Sequence, residues 1–192
     1  RMKNVVAGVD EVGRGSLIGP VYAAAVILKK KIDKKKLKDS KKLSKKNLKI
    51  LEKYIKKNSY WSTGSASLKE IEKFNILNAS LLAMKRAIKK LNIKPGQVLV
   101  DGNKLPNWGY PSQAIIRGDK KIPEISAASI IAKVIRDQEL EELDAIYPGY
   151  GFARNKGYPT KEHLSALKKL GPTDAHRKSF EPVKRLLGLR SG

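Results

Sequence analysis

Residues 4–28 read NVVAGVDEVGRGSLIGPVYAAAVIL, and this stretch decides the fold. Its first seven residues and its last eight are short apolar runs rich in valine and alanine, which indicates two buried strands. The glycine-rich segment GRGSLIGP (residues 13–20) lies between them and predicts a turn. The chain therefore begins with part of a sheet.

Further along, shorter apolar runs alternate with segments of helical periodicity. Strands are predicted at 60–65, 98–100 and 113–117, and helices at 44–57, 75–91, 123–146, 160–170 and 180–187, with a short helix that starts at Ser67. Ser44 is a plausible N-cap, and Ser67 with Glu70 has the spacing of a capping box. This order predicts an α/β fold, a sheet flanked by helices with a helical C-terminal region.

Composition excludes several classes of protein. The chain has 192 residues, 41 Lys and Arg against 18 Asp and Glu, and a formal charge of +23. Its 41% hydrophobic content is too high for a disordered basic tail, and its longest apolar run, Val21–Leu28, is too short to span a membrane. With no cysteine, thiol catalysis, disulfides and zinc–thiolate sites are excluded. We expect a soluble cytoplasmic protein with no membrane association and a polyanionic partner, nucleic acid first. The alternative is a lysine-rich composition without a function of its own.

The positive charge is concentrated in two regions. Residues 29–57 hold 15 Lys and three acids, a net of +12, and residues 153–192 hold 10 basic residues and three acids, a net of +7. These regions could form two walls of one groove that contacts phosphates. The alternative for any single lysine is a solvated helix face.

Three carboxylates share an unusual context. Asp10, Asp101 and Asp119 each follow an apolar segment and have a glycine nearby. Functional groups collect at strand ends in α/β sheets, and carboxylates that meet there repel one another unless protonated or neutralised by cations. Oxygen ligands without cysteine favour Mg²⁺ or Mn²⁺. Alternatively, each aspartate is an ordinary turn residue. Glu11 could join the cluster only if the strand ends or bends there, because adjacent strand residues face opposite ways.

The stretch from Asp10 to Pro20, DEVGRGSLIGP, resembles the ribonuclease HII family (type 2 ribonuclease H), and later motifs agree in order. They are DSKKLS (39–44), VDGN (100–103), RGD (117–119), ISAASIIAKVIRD (125–137), KGYPT (156–160) and HRKSF (176–180). The resemblance implies an RNase H-like mixed sheet and a metal-dependent endoribonuclease. Such an enzyme cleaves the RNA strand of RNA/DNA hybrids, and cleaves 5′ of ribonucleotides embedded in duplex DNA, with a role in DNA repair by ribonucleotide removal. It implies two Mg²⁺ or Mn²⁺ ions during catalysis and products with 3′-hydroxyl and 5′-phosphate ends.

The resemblance also implies roles for individual residues. The catalytic, metal-binding carboxylates would be Asp10, Glu11, Asp101 and Asp119, with Asp137 as a further metal ligand or, alternatively, a partner of Arg136 or a nearby lysine. Gly13, Arg14 and Gly15 would recognise the ribonucleotide, and Tyr158 would complete that recognition. Arg14, Lys41, Lys133 and Lys156 would contact phosphates, and Asn78 would contact the nucleic acid. For His163 and His176, packing or a phosphate contact is favoured over acid–base catalysis.

Two organisational expectations remain. Residues 1–145 are expected to form the RNase H-like catalytic domain and residues 146–192 a helical substrate-binding region. The partners are expected to be RNA/DNA hybrids and ribonucleotide-containing duplex DNA. No protein partner is expected, because the glutamines at 97, 113 and 138 form no terminal clamp-binding pattern. Two rival functions are a DNA-processing nuclease without ribose selectivity and a non-catalytic nucleic-acid-binding protein.

Overall fold

A single mixed sheet lies at the centre of the protein. The computed structural model describes the backbone of residues 2–191 and the side chains of residues 5–188. Its strands are β1 (Met2–Val12), β2 (Val21–Leu28), β3 (Ser59–Ala66), β4 (Pro95–Asp101) and β5 (Ser112–Ile115). They are arranged in the order β3-β2-β1-β4-β5. β1, β2 and β3 pair antiparallel, whereas β4 pairs parallel with β1 and β5 parallel with β4. The predicted mixed α/β sheet is confirmed.

Helices follow the predicted order. They are α1 (Lys45–Lys57), α2 (Leu68–Lys89), α3 (Gly118–Lys121), α4 (Pro123–Ile146), α5 (Phe152–Asn155), α6 (Lys161–Leu170) and α7 (Glu181–Ser191). The Ser44 side chain accepts a hydrogen bond from the Asn47 N–H, so the predicted N-cap of α1 is confirmed. The sequence did not predict the four-residue helices α3 and α5, nor the 3₁₀ turns Lys34–Leu37 and Ser40–Lys42. Such short elements show no periodicity in the sequence.

Helix α2 is two helical segments joined at a break. The capping box of Ser67 and Glu70 is formed at its start. Asn75 then interrupts the helix with φ 70° and ψ 169°, and its side-chain oxygen accepts a hydrogen bond from the Asn78 N–H at 2.9 Å. Asn75 thus starts the second segment much as an N-cap does. The short helix predicted to start at Ser67 and the helix predicted at 75–91 correspond to these two segments.

The sheet separates two apolar layers because side chains alternate along each strand. On one face, Ala23 and Ala25 of β2 pack with Ala83 of α2. On the other face, Ala24 and Val26 pack with residues of α1 and α4, including Leu48, Ile55, Ala127 and Ile131. These layers hold the strand ends in fixed positions.

The C-terminal helices form a third apolar cluster with the loop between β1 and β2. Leu17 and Ile18 of this loop pack with Leu140, Tyr150, Phe152, Leu167 and Val183. The division at residue 145 stays a prediction, and its terminal residues 1 and 192 lie outside the described residues. Over the stretch that the structure describes, no helix has both the length and the apolar character needed to cross a bilayer.

The end of β1 differs from the sequence prediction. The apolar pattern predicts a strand that ends at Asp10, but β1 continues to Val12. Its pairing with β4 ends at the pair Val9 and Val100, whereas its pairing with β2 continues through Glu11 to Val12. Main-chain pairing does not require apolar side chains, so polar residues extend the strand on the antiparallel side.

Candidate active site

The predicted carboxylates meet where β1 and β4 stop pairing. Val9 and Val100 are the last paired residues, so Asp10 and Asp101 occupy equivalent positions on adjacent parallel strands. Asp10 is only 8% exposed. The Asp101 carboxylate accepts a hydrogen bond from the Asp119 N–H at 3.2 Å, which fixes the start of α3 beside the end of β4. The fold therefore brings Asp10, Asp101 and Asp119 to one edge of the sheet.

The charges in this cluster oppose one another. Burial raises the pKa of Asp10 well above its usual value, and the negative charges of Asp101, Glu11 and Asp119 raise it further. A hydrogen bond from the Glu11 N–H to Asp10 Oδ1, at 2.8 Å, lowers the pKa of Asp10 and offsets part of this increase. Burial also raises the pKa of Glu11 to about 7, against the opposing effect of Arg14 and with a further increase from Asp101. Glu11 therefore interacts with the cluster although β1 neither ends nor breaks at Asp10.

This donor set fits a divalent cation by its chemistry. The carboxylates offer oxygen atoms only, which suits Mg²⁺ or Mn²⁺, and a cation would relieve the repulsion that their burial intensifies. In the described part of the chain, no group of three or more His, Cys, Asp or Glu side chains is already arranged to hold a metal ion. The fit thus rests on ligand type, burial and mutual repulsion.

A pocket of about 210 Å³ opens beside the carboxylates. Its lining residues are Glu11, Val12, Gly13, Ser129, Lys133, Arg136, Asp137, Lys156 and Tyr158. Six of these are predicted site residues, drawn from β1, the loop after β1, α4 and the loop before α6. A concave site with a few convergent polar groups is typical of a binding or active site.

The glycine strip Gly13-Arg14-Gly15 and Tyr158 lie against each other at this pocket. Gly13 has φ +96°, a conformation that side chains with a Cβ rarely adopt. A Cβ on Gly15 would lie 2.9 Å from Cε1 of the Tyr158 ring, so the absence of a side chain lets the ring approach the strip this closely. The Leu17 N–H donates to the Gly157 carbonyl at 2.8 Å and joins the two loops. The sequence predicted both elements as substrate contacts, and the fold makes them neighbours.

Two of the predicted phosphate-binding cations lie beside the carboxylate cluster. Arg14 Nη1 is 3.9 Å from Glu11 Oε1, and Lys41 Nζ is 3.5 Å from Asp119 Oδ2. Lys41 is well exposed, with 73% of its side-chain surface accessible. Exposed pairs of this kind contribute little stability, so both cations are free to exchange a carboxylate for a phosphate.

The other two cations bind Asp137. Lys133 Nζ is 3.1 Å from one carboxylate oxygen of Asp137, and Lys156 Nζ is 3.5 Å from the other. Arg136 instead pairs with Glu139 at 2.8 Å. Asp137 therefore pairs with the nearby lysines and not with Arg136. Its metal-binding role stays a prediction.

The remaining predicted residues are not at the carboxylates. Asn78 is exposed, and its side chain donates to the Phe74 carbonyl at 3.1 Å, so no described bond links it to the cluster. His163 and His176 are 0% and 2% exposed and pack against Tyr150 and Phe152. The packing role favoured for the histidines is confirmed.

Sequence reasoning missed two buried arginines. Arg136 donates from Nη2 to Ser16 Oγ at 2.7 Å and to the Ile18 carbonyl at 2.8 Å. Arg177 donates to carbonyls of the same loop. A usable signal existed for Arg136, because it lies at helical spacing from the apolar residues Ala128 and Ala132. A charged residue at such a position indicates polar partners in the interior.

Comparisons with known proteins agree with this geometry. A family model described as Ribonuclease HII matches residues 7–183. A ribonuclease HII of Pelagibacter ubique (strain HTCC1062) is 64% identical over 184 residues, which cover 95% of this chain and 99% of that protein. One from Vibrio vulnificus (strain YJ016) is 54% identical over 185 residues, or 96% of this chain and 89% of that protein.

Solved structures also resemble this fold. Ribonuclease H2 from Pyrococcus horikoshii OT3 superposes with a TM-score of 0.81 at 27% identity, covering 98% of this chain and 100% of that one. The RNase HII of a PCNA complex from Archaeoglobus fulgidus has a TM-score of 0.77 at 26% identity, covering 92% and 95%. Bst-RNase HIII in complex with Mn²⁺ shares the fold, with a TM-score of 0.69 at 16% identity over 96% of this chain and 70% of that one. The Archaeoglobus complex does not support the expectation that no protein partner exists.

Proposed function

Because the chain belongs to the ribonuclease HII family, whose metal-dependent endoribonucleases cleave the RNA strand of RNA/DNA hybrids, we propose that it also cuts duplex DNA 5′ of an embedded ribonucleotide. The products would carry 3′-hydroxyl and 5′-phosphate ends. One observation carries this proposal: Asp10 and Asp101 follow the last paired residues of two adjacent strands, and Glu11, next to Asp10, lines a pocket together with Gly13 and Tyr158. In the cell the reaction would serve DNA repair by ribonucleotide removal, in the cytoplasm.

The carboxylates supply the metal-binding part of the mechanism. Asp10 and Asp101 would be the central ligands, Glu11 and Asp119 would complete the two sites, and Asp137 would assist. Two bound Mg²⁺ or Mn²⁺ ions would supply an activated water and stabilise the leaving 3′ oxygen. The hydrogen bonds from the Glu11 N–H to Asp10 and from the Asp119 N–H to Asp101 orient these two carboxylates beforehand.

The glycine strip and Tyr158 supply the selectivity for ribose. The 2′-hydroxyl distinguishes RNA from DNA at any one nucleotide. A backbone without side chains at Gly13 and Gly15 can approach a sugar closely, and the Tyr158 ring, 42% exposed, lies next to Gly15. We infer that the sugar of the ribonucleotide contacts both the strip and the edge of this ring.

The cations around the pocket orient the duplex. Lys133 and Lys156 line the pocket, and Arg14 and Lys41 lie within 4 Å of Glu11 and Asp119. The phosphates of a bound duplex would therefore pair with these cations. Phosphate contacts fix register and orientation without reading sequence. Asn78 would add a contact further along the duplex.

A cleavage assay on three substrates tests the proposal. They are a duplex with one embedded ribonucleotide, the same duplex in all-DNA form, and a long RNA/DNA hybrid, each with Mg²⁺, Mn²⁺ or chelator. The enzyme should cut the first and third only with metal and leave the second intact. Cutting of the all-DNA duplex at an equal rate would contradict ribose selectivity.

The variant Asp10→Asn tests the metal assignment. It should lower the cleavage rate by roughly 1,000-fold or more, because a central ligand of both ions is removed, yet leave duplex binding within about threefold. Asp33→Asn is the matched control, since Asp33 is exposed and caps the turn Lys34–Leu37 away from the site. Retained activity in Asp10→Asn would refute the assignment.

A further inference from the structure

Both loops that border the pocket are bonded, directly or through His163, to the same two residues, His176 and Arg177. The glycine strip belongs to the loop 13–20, and Tyr158 belongs to the turn that follows α5. His176 and Arg177 lie between α6 and α7, and Ile18 forms an isolated β-bridge with His176. The Arg177 N–H donates to the Leu17 carbonyl at 2.8 Å. The bridge at His176 and this hydrogen bond therefore join the segment between α6 and α7 to the loop.

Arg177 binds the loop that contains the glycine strip. Its guanidinium donates to the carbonyls of Gly19 at 2.9 Å, Arg14 at 3.1 Å and Pro20 at 3.4 Å. The residue is fully buried. One side chain thus fixes main-chain oxygens at both ends of the loop, including the oxygen of Arg14 in the strip itself.

His176 is connected to the main chain of Tyr158 by a chain of hydrogen bonds, and the donor and acceptor of each bond can be assigned. The Thr173 N–H donates to His176 Nδ1 at 2.9 Å, so this nitrogen accepts. A neutral imidazole has one donor and one acceptor, so His176 Nε2 carries the proton. It faces His163 Nε2 at 2.9 Å, which must accept, and the protonated His163 Nδ1 then donates to the Tyr158 carbonyl at 3.0 Å.

The surroundings of the two histidines keep them neutral. Both are buried among Tyr150 and Phe152. Burial lowers the pKa of each ring. Glu162 raises the pKa of His163 but is itself paired with the exposed Arg154, and Arg177, next to His176 in the chain, bonds to the loop carbonyls. Protonation would set two N–H groups against each other at Nε2 and break the chain.

We propose that His176 and Arg177 are positioning residues that set the distance between the glycine strip and Tyr158, and so the fit of the ribonucleotide. Arg177 acts on the strip, and His176 acts through His163 on the main chain of Tyr158. This inference rests on the proposed function, because it requires Tyr158 to contact the ribonucleotide.

A double-mutant cycle with Tyr158→Ala and His176→Phe tests the proposal. Phenylalanine keeps the ring packing against Tyr150 and Phe152 but cannot donate or accept. Binding is measured by fluorescence anisotropy with Ca²⁺ in place of Mg²⁺, on the duplex with one ribonucleotide and on its all-DNA counterpart. The dissociation constant for the all-DNA duplex, divided by that for the ribonucleotide-containing duplex, is the ratio that reports ribose discrimination.

Each single variant should lower this ratio by about fivefold to tenfold, the size expected when one hydrogen bond to the substrate is removed. The double variant should lower it no further than Tyr158→Ala alone, because both changes disable the same interaction. His176→Gln should retain most of the discrimination, since its side-chain amide N–H can donate to His163. Ile88→Ala, a buried change in the apolar layer between α2 and the sheet, is the control that lowers stability and leaves the ratio unchanged.

The outcomes separate the two proposals. If Tyr158→Ala leaves the ratio unchanged, the role of Tyr158 in the proposed function is overturned. If Tyr158→Ala lowers it and His176→Phe does not, or if the two effects multiply, the positioning role alone is overturned.

The hydrogen-bond chain itself is tested without substrate. Nitrogen-15 NMR of the labelled full chain at pH 7 should show both rings neutral, with the proton on Nδ1 of His163 and on Nε2 of His176. The reverse assignment in either ring, or a charged ring, would overturn the chain.

Discussion

Basic side chains play different parts outside and inside this protein. The lysines of α1, such as Lys46, Lys49 and Lys53, are exposed, whereas Arg136 and Arg177 are 2% and 0% exposed. The buried arginines bond to main-chain oxygens of the loop 13–20. A net charge counts both kinds equally, although only the exposed kind can meet a phosphate.

The difference follows from the chemistry of the two side chains. The arginine guanidinium presents five donors in a planar fork and is weakly hydrated, so it can satisfy several carbonyls in the interior. The lysine ammonium is strongly hydrated and remains at the surface. Burial and the positive charge of Arg136 lower the pKa of Arg177 to about 9, which measures how unfavourable the interior is for its charge. The +7 of residues 153–192 is thus not entirely available to nucleic acid.

The largest expected effect comes from removing the buried charge. Arg177→Met fills similar space but leaves the carbonyls of Arg14, Gly19 and Pro20 without their donor. We expect a loss of about 3–5 kcal/mol in the free energy of unfolding, measured by urea denaturation. Arg177→Lys should recover only part of it. A loss below about 1 kcal/mol in Arg177→Met would contradict the structural role of this arginine.

A second effect is a pH dependence of stability from the buried histidines. Burial and His163 lower the pKa of His176 to about 4, from 6.5 in the unfolded chain. The contribution of His176 to the free energy of unfolding is therefore fully present above pH 6.5. It is lost as the pH falls from 6.5 towards 4, because only the unfolded state binds the proton in this range. His176 alone should contribute about 3 kcal/mol to this loss.

Unfolding free energies at pH 7 and pH 4, compared between the wild type and His176→Phe, isolate this contribution. The carboxylates titrate in both proteins, so they cancel in the difference. An equal pH dependence in the two proteins would show that His176 is not a buried neutral base.

The smallest effect on stability is expected at the surface. Replacing Lys46, Lys49 and Lys53 of α1 by glutamine should change the unfolding free energy by less than about 0.5 kcal/mol. The same change should weaken duplex binding and reduce its salt dependence by about 1 logarithmic slope unit for each phosphate that the variant no longer neutralises. The control replaces Lys85, Lys89 and Lys90, which are exposed on and just after α2. Equal salt dependence in both triple variants would refute α1 as a phosphate-binding surface.

Much of the fold could be predicted because its signals are local. The apolar run Val21–Leu28 and the start of α4 at Pro123 match the structure at their boundaries. The end of β1 could not be predicted, because pairing with β2 continues through the polar residue Glu11. The carboxylate cluster was found from three strand ends, whereas the arginine contacts span more than 100 residues of sequence and leave no periodic signal.

The sequence alone determined which chemistry the protein carries. Carboxylates after apolar segments, the glycine strip and the absence of cysteine are properties of residue type and order. Only the tertiary structure decided which basic residues face solvent and which support the loops. It also placed Tyr158 against Gly15, 143 positions apart in the chain. The physical reason is that burial and hydrogen-bond partners depend on elements distant in sequence, and these come together only when the apolar layers pack.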